Sequence, residues 1–223
     1  MGDQRTLTAA DGFELGAYWA GASGTEKGRV VVVQEIFGVN HHIRSVCDRL
    51  AAEGYSALAP AIFDRVAPNF QSGYSPEDIA EARKFIPRLD WEKVLLDVGA
   101  AADFVEKDGP VAVMGFCLGG SVAFLTATQR DGLAAALCYY GGQIVRHADK
   151  MPRCPTQMHF GDRDQSIPMA DIETIRAKRP DCEIHIYPAG HGFHCDERAS
   201  YDPESATLAW QRSLAFLAEA FGK

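Results

Sequence analysis

A chain of 223 residues that is 47% hydrophobic and 23% charged has the balance of an ordinary globule, with the length of one large domain rather than two cramped ones. Its 22 basic residues against 30 acidic ones leave a net charge of −8, which repels phosphate backbones and argues against general nucleic-acid binding. No stretch approaches the ~20 consecutive apolar residues of a membrane span, and Met1-Gly2-Asp3-Gln4-Arg5 lacks the basic region and apolar run of a secretory signal. Six cysteines spread through apolar segments are the pattern of reduced, intracellular thiols, so a cytoplasmic protein with no membrane attachment is expected.

In chain order, the segment Thr6 to Trp19 carries Asp11-Gly12 at its middle, a hairpin turn signal. Arg29 to Gln34 contains four consecutive valines, which reads as a strand covered on both faces. A helix is expected at about 41–53, with Ile43, Val46, Cys47, Leu50 and Ala51 on one stripe and Gly54 ending it. Tyr55 to Ala59 is a short strand stopped by Pro60, and residues 63–76 form a long loop. Helices at about 76–86 and 90–107 follow, the second with Trp91, Val94, Leu95, Val98, Ala102 and Val105 on one face. Asp108-Gly109-Pro110 breaks that helix before a strand at Val111 to Met114. After residue 115 the pattern gives a helix to about 129, a strand at 133–140, a loop at 141–154 and a strand at 156–160. A helix at about 168–178 and a strand at 182–187 precede a last helix at about 203–220, whose stripe is Trp210, Leu214, Leu217 and Phe221. Strands alternating with helices of these lengths predict one α/β domain over residues 1–223, with a mostly parallel sheet and helices on both faces.

The hexamer Gly115-Phe116-Cys117-Leu118-Gly119-Gly120 lies between a strand and a helix and has the form G-x-C-x-G. This is the nucleophile elbow of α/β-hydrolases with cysteine in place of serine. Its flanking residues must be small for the helix to pack behind the strand, and the Leu118 N–H then faces a reacting carbonyl at the helix N-terminus. A buried structural cysteine also suits the pattern taken alone; the strand-to-helix position favours the elbow.

Such a nucleophile needs a base and a group to orient it, in the chain order nucleophile, acid, histidine. Asp162 and Asp164 both follow the strand ending near Phe160, and both also suit turn formation. His191, between Gly190 and Gly192, follows the strand ending at Tyr187. His185 alternates with Ile184 and Ile186 as an ordinary strand residue, His41 and His42 precede the elbow, and His147 and His159 have no flanking geometry. Zinc is not expected: His191, His194 and Cys195 need further ligands that no C-x-x-C or H-E-x-x-H motif supplies. No G-x-G-x-x-G follows the first core strand either, and no cofactor is expected.

Four blocks together resemble the dienelactone hydrolase (carboxymethylenebutenolidase) family of the α/β-hydrolase superfamily. They are Gln34-Glu35-Ile36-Phe37-Gly38-Val39-Asn40, Gly115 to Gly120, Gly161 to Pro168 with G-x-x-D-x-x-x-P spacing, and Gly190-His191-Gly192-Phe193. The resemblance implies an α/β-hydrolase fold, with Cys117 as nucleophile, His191 as acid and base, and Asp164 rather than Asp162 as orienting carboxylate. It further implies that Glu35 activates the thiol and that the Ile36 and Leu118 N–H groups form the oxyanion hole. Glu35 also makes independent sense, since a carboxylate closing a valine run is costly to bury without a role. The family's best-known members hold a substrate carboxylate with two arginines. One would lie four residues beyond His191, where this chain has Cys195. Arg198 and Arg83 are the nearest substitutes.

The expected activity is hydrolysis of a small lactone or activated ester, with enol-lactone ring opening in aromatic-compound degradation as the resemblance implies. A broad carboxylesterase or thioesterase on the same site is the alternative, and a non-catalytic ligand-binding or thiol-sensing protein the third. The expected partner is a small-molecule substrate, with no nucleic acid and no membrane, for a monomer or weak homo-oligomer.

Overall fold

A computed structural model describes residues 2–107 and 109–222, so Asp108 of the expected Asp108-Gly109-Pro110 break lies outside the described residues. The chain divides into two compact units, residues 1–111 and 112–223.

In the first unit, β1 (Asp3–Thr8) and β2 (Glu14–Ala20) form an antiparallel hairpin. Asp11 and Gly12 make its turn: the Asp11 carboxylate accepts the Phe13 N–H at 3.2 Å, and Gly12 takes a φ of 83°. β2 pairs antiparallel with β4 (Tyr55–Pro60), which lies parallel to β3 (Gly28–Val33), giving the order β1-β2-β4-β3. Val30 to Val33 and every residue of β4 are buried, so both faces of these strands are covered. The cover comes from α1 (His41–Ala52) and α3 (Trp91–Glu106), which pack on these strands. Asn40 caps α1 by accepting the Ile43 N–H, and α2 (Pro76–Arg83) opens on a Ser75–Asp78 capping box. On α3 the fully buried Asp97 is met by Arg65, whose guanidinium also reaches Asp11 and so ties the hairpin turn to the helix.

In the second unit, β5 (Val111–Phe116), β6 (Leu133–Tyr139), β7 (Thr156–Gly161) and β8 (Glu183–Tyr187) run in that spatial order. β6, β7 and β8 pair in parallel. α4 (Leu118–Gln129) follows β5 directly, α6 (Met169–Lys178) joins β7 to β8, and α7 (Pro203–Ala220) packs on β6 and β7. Two expectations change here. The loop expected over 141–154 contains a single helical turn, α5 (Ile144–His147), too short to leave a periodic signal. The buried face of α7 is Ser205, Ala206, Ala209, Ser213 and Leu217, whereas Trp210, Leu214 and Phe221 are only half-buried. Small residues let α7 approach β6 closely enough for the Tyr139 hydroxyl to reach the Ser213 Oγ at 2.6 Å and the Ala209 carbonyl at 3.2 Å. Among the described residues, no helix is long and apolar enough to cross a membrane.

Candidate active site

The site in the second unit is built on the turn between β5 and α4. Cys117 sits there with φ 53° and ψ −112°, a left-handed conformation that L-residues rarely hold and that is characteristic of strained functional turns. Its N–H donates to the Tyr139 carbonyl at 3.0 Å. The flanking glycines are obligatory: a Cβ at Gly115 would lie 1.9 Å from the Gly119 carbonyl oxygen, and one at Gly120 would lie 2.3 Å from the Tyr139 carbonyl oxygen. The first amides of α4, starting at Leu118, have no acceptor within the helix, so this end of α4 presents N–H donors and a positive partial charge beside the thiol.

His191 lies in the loop after β8. Its Nε2 is 3.1 Å from the Cys117 Sγ and its Nδ1 is 2.7 Å from an Asp164 carboxylate oxygen. The other Asp164 oxygen accepts the Ser166 and Ile167 N–H groups at 2.7 and 3.2 Å, so this buried carboxylate is fully engaged. Asp162, by contrast, is exposed and faces Arg163 at 3.8 Å. Of the two candidate carboxylates, Asp164 is the one against His191. Burial opposes a charge on the His191 ring, but the neighbouring Cys117 sulfur and Asp164 carboxylate more than offset it and raise the imidazole to about 10.

The loop around His191 is braced on several sides. Ser200 Oγ donates to the His191 carbonyl at 2.7 Å, and the Asp202 N–H donates to the Phe193 carbonyl at 3.1 Å. The Arg198 guanidinium lies so close to Gly192, with its φ of 74°, that a Cβ there would meet it at 2.4 Å. Arg198 therefore packs on the residue next to His191, while Cys195, four residues beyond His191, is buried.

Glu35 and Ile36 belong to the first unit, just past β3, and both are buried. Glu35 accepts a hydrogen bond from the Tyr74 hydroxyl at 3.1 Å. Arg83 lies in the last turn of α2 and is exposed.

Sequence reasoning missed Tyr140. It is fully buried, has a φ of 38°, and sets its ring edge against His191 with 5.2 Å between centroids. A tyrosine just past an apolar strand looks like any core residue, so no sequence signal marks it. Ser200 and Tyr74 leave no signal either: Ser200 bonds a backbone carbonyl nine residues back in the same loop, and Tyr74 pairs with Glu35, 39 residues away.

The sequence profile of the Dienelactone hydrolase family matches residues 15–221. A relative from Synechocystis sp., provisionally named a carboxymethylenebutenolidase, is 40% identical over 204 residues, 82% of each chain. The carboxymethylenebutenolidase of Pseudomonas putida is 30% identical, over 96% of this chain and 94% of its own. A crystal structure from Klebsiella pneumoniae, provisionally described as a dienelactone hydrolase, superposes with a TM-score of 0.84 at 32% identity, covering 98% of this chain and 99% of that one. With the match running through every block that carries the site, the chain is an α/β-fold hydrolase and belongs to the dienelactone hydrolase family.

Proposed function

We propose that this chain hydrolyses small lactones or activated esters through a Cys117-His191-Asp164 triad. The observation that carries the reading is the line of contacts from thiol to imidazole to buried carboxylate, at 3.1 and 2.7 Å. In the first step His191 Nε2 holds a proton, which its neighbours keep there up to about pH 10, and the Cys117 Sγ attacks the substrate carbonyl carbon, leaving negative charge on the carbonyl oxygen. The Leu118 N–H at the start of α4 stabilises that oxygen, with the Ile36 N–H as second donor on the family resemblance. Collapse breaks the carbon–oxygen bond to the leaving group, which takes the proton from His191 and leaves a thioester on Cys117. His191 then deprotonates water, water attacks the thioester, and the acid product departs as the thiol is regenerated.

A thiolate expels stabilised leaving groups such as enolates readily, which favours enol lactones and activated esters over amides. On the family resemblance, dienelactone ring opening within aromatic-compound breakdown in the cytoplasm is the specific role proposed. Glu35 enters as the carboxylate that activates the thiol, supported by its burial and the same resemblance. Arg198, against the His191 loop, and Arg83 are the candidates for a substrate carboxylate.

The test is a spectrophotometric panel of enol lactones, aryl esters and thioesters, run on the wild type and Cys117→Ala together. Fastest turnover of enol lactones, lost in C117A, is the expected result. Equal turnover of simple aryl esters would favour the broad-esterase alternative, and hydrolysis surviving in C117A would end the proposal.

A further inference from the structure

Tyr139 and Tyr140 are consecutive, yet each touches a different member of the reacting pair. Tyr139 ends β6; its carbonyl accepts the Cys117 N–H at 3.0 Å, and its ring packs on Phe116, the residue before the nucleophile, at 4.6 Å. Its hydroxyl is fixed by Ser213 at 2.6 Å and the Ala209 carbonyl at 3.2 Å, both on α7. A second fully buried ring, His159, stacks on its other side at 4.3 Å. Tyr140 packs edge-on against His191 at 5.2 Å and against Phe193, two residues further along the same loop, at 5.5 Å.

The backbone between them explains how one dipeptide serves both groups. Neighbouring residues of an extended strand point to opposite faces, but here the two ring centroids are only 6.1 Å apart, at 78°. The left-handed φ of 38° at Tyr140 swings its ring out of strand alternation and onto the histidine loop. A bulky side chain is held at such a φ only where its surroundings over-determine it. They do: the Tyr140 N–H donates to the His159 carbonyl at 2.8 Å, and the next residue, Gly141, has no room for a Cβ, which would lie 2.7 Å from the Ser121 nitrogen.

We propose that Tyr139-Tyr140 is a positioning element that sets the separation of the Cys117 sulfur from His191, Tyr139 by clamping the elbow and Tyr140 by backing the imidazole. This rests on the reading of Cys117 and His191 as the reacting pair. Neither tyrosine needs to touch substrate for the role, so the cost of disturbing them falls on the approach of sulfur to nitrogen rather than on binding.

The experiment compares Tyr140→Leu, Tyr140→Phe and Ser213→Ala by two readouts, kcat and KM on an aryl ester and the pH profile of Cys117 alkylation by iodoacetamide. Y140L removes the ring that backs His191. It is expected to lower kcat on the order of 10²-fold, the size of loss from a ~1 Å misplacement of reacting groups, with KM little changed. Its alkylation profile shifts from that of the wild type, because the imidazole no longer meets the sulfur at its set distance. Y140F keeps the ring and restores most of both readouts. S213A lies on α7, away from the reacting atoms, removes one of the two partners of the Tyr139 hydroxyl together with a contact to His159 Nε2, and is expected to show a smaller loss of the same kind. S213A also decides the matter should Y140L not fold. Wild-type kcat and alkylation in Y140L or S213A would overturn the proposal, as would Y140F as impaired as Y140L, because that would place the effect in the hydroxyl. Alkylation needs no ester turnover, so a wild type that hydrolyses nothing on the panel yet shows the expected alkylation shifts would sink the functional reading and leave this one standing.

Discussion

Asp164 gives one oxygen to His191 and the other to two backbone amides, so it fixes the ring with Nε2 facing the thiol. Asp164→Asn keeps the size but presents a neutral group that can orient the imidazole wrongly. We expect kcat to fall on the order of 10⁴-fold, as in other triads that lose this carboxylate. The same substitution removes one of the charges that raise His191 to about 10, so the imidazole should titrate at lower pH, read from its carbon-bound protons by NMR. The sign for stability follows: a folded-state pKa raised above 6.5 contributes stability that is complete below 6.5 and is lost as pH rises through about 10. In D164N that alkaline loss should begin earlier. For Glu35, replacement by Gln keeps its size and its contact with Tyr74 while removing the carboxylate charge proposed to activate the thiol. The expected drop in kcat is on the order of 10²–10⁴-fold with folding intact, and unchanged turnover would make Glu35 a structural residue. Cys117, Asp164 and His191 stand out in the sequence because each sits in a glycine-marked turn after a strand. Choosing Asp164 over Asp162 needed the family spacing, since both suit the same turn.

At the level of elements, the β5–α4 turn concentrates the constraints. Gly115→Ala would drive a Cβ into the Gly119 carbonyl at 1.9 Å with no flexible side chain to give way. A loss on the order of 3–5 kcal/mol is expected, seen as a large fall in the urea midpoint. The thiols of the other elements are protected by contrast. Cys47, Cys138 and Cys195 are buried, and burial pushes Cys154 up to about 11 and Cys182 up to about 12. Iodoacetamide at neutral pH should therefore label Cys117 first, by peptide mass mapping, and loss of hydrolysis should track that site. The order of strands and helices is legible from periodicity because β3 carries four consecutive valines, β4 is largely apolar and α1 carries a clear stripe. The face of α7 is not. Its large residues mark one side, but close packing against β6 selects the small ones, Ala206, Ala209 and Ser213, and that choice depends on a tyrosine more than 70 residues upstream.

Across the whole molecule, the least legible feature is the polar core around His159. Its Nδ1 meets the Tyr187 hydroxyl at 2.8 Å, and its Nε2 meets Gln157 at 2.9 Å and Ser213 at 3.1 Å. Complete burial, with further repulsion from His185 and Arg212, holds this imidazole neutral well below its ordinary 6.5. A depressed folded-state pKa contributes stability that is present above 6.5 and is lost as pH falls below it, because only the unfolded chain takes up the proton. The slope for one such proton is about 1.4 kcal/mol per pH unit. Urea midpoints should thus drop between pH 7 and pH 5, and His159→Gln, less stable at pH 7, should show a flatter decline. The sequence offers no sign of this, since His159 is one of three polar residues, with Thr156 and Gln157, in a short strand whose partners lie far along the chain. A different consequence attaches to α4, whose residues from Leu118 to Thr128 are all buried. A helix with no wet side cannot lift away on one edge, because any partial detachment strips apolar contact from it. Deuterium uptake at its amides must wait for the surrounding unit to come apart, so these slowest protons read out the full opening free energy in native buffer, without denaturant. A substrate analogue seated beside Cys117 would then announce itself as a further slowing of exchange along a helix that sequence alone presents as an unremarkable apolar run.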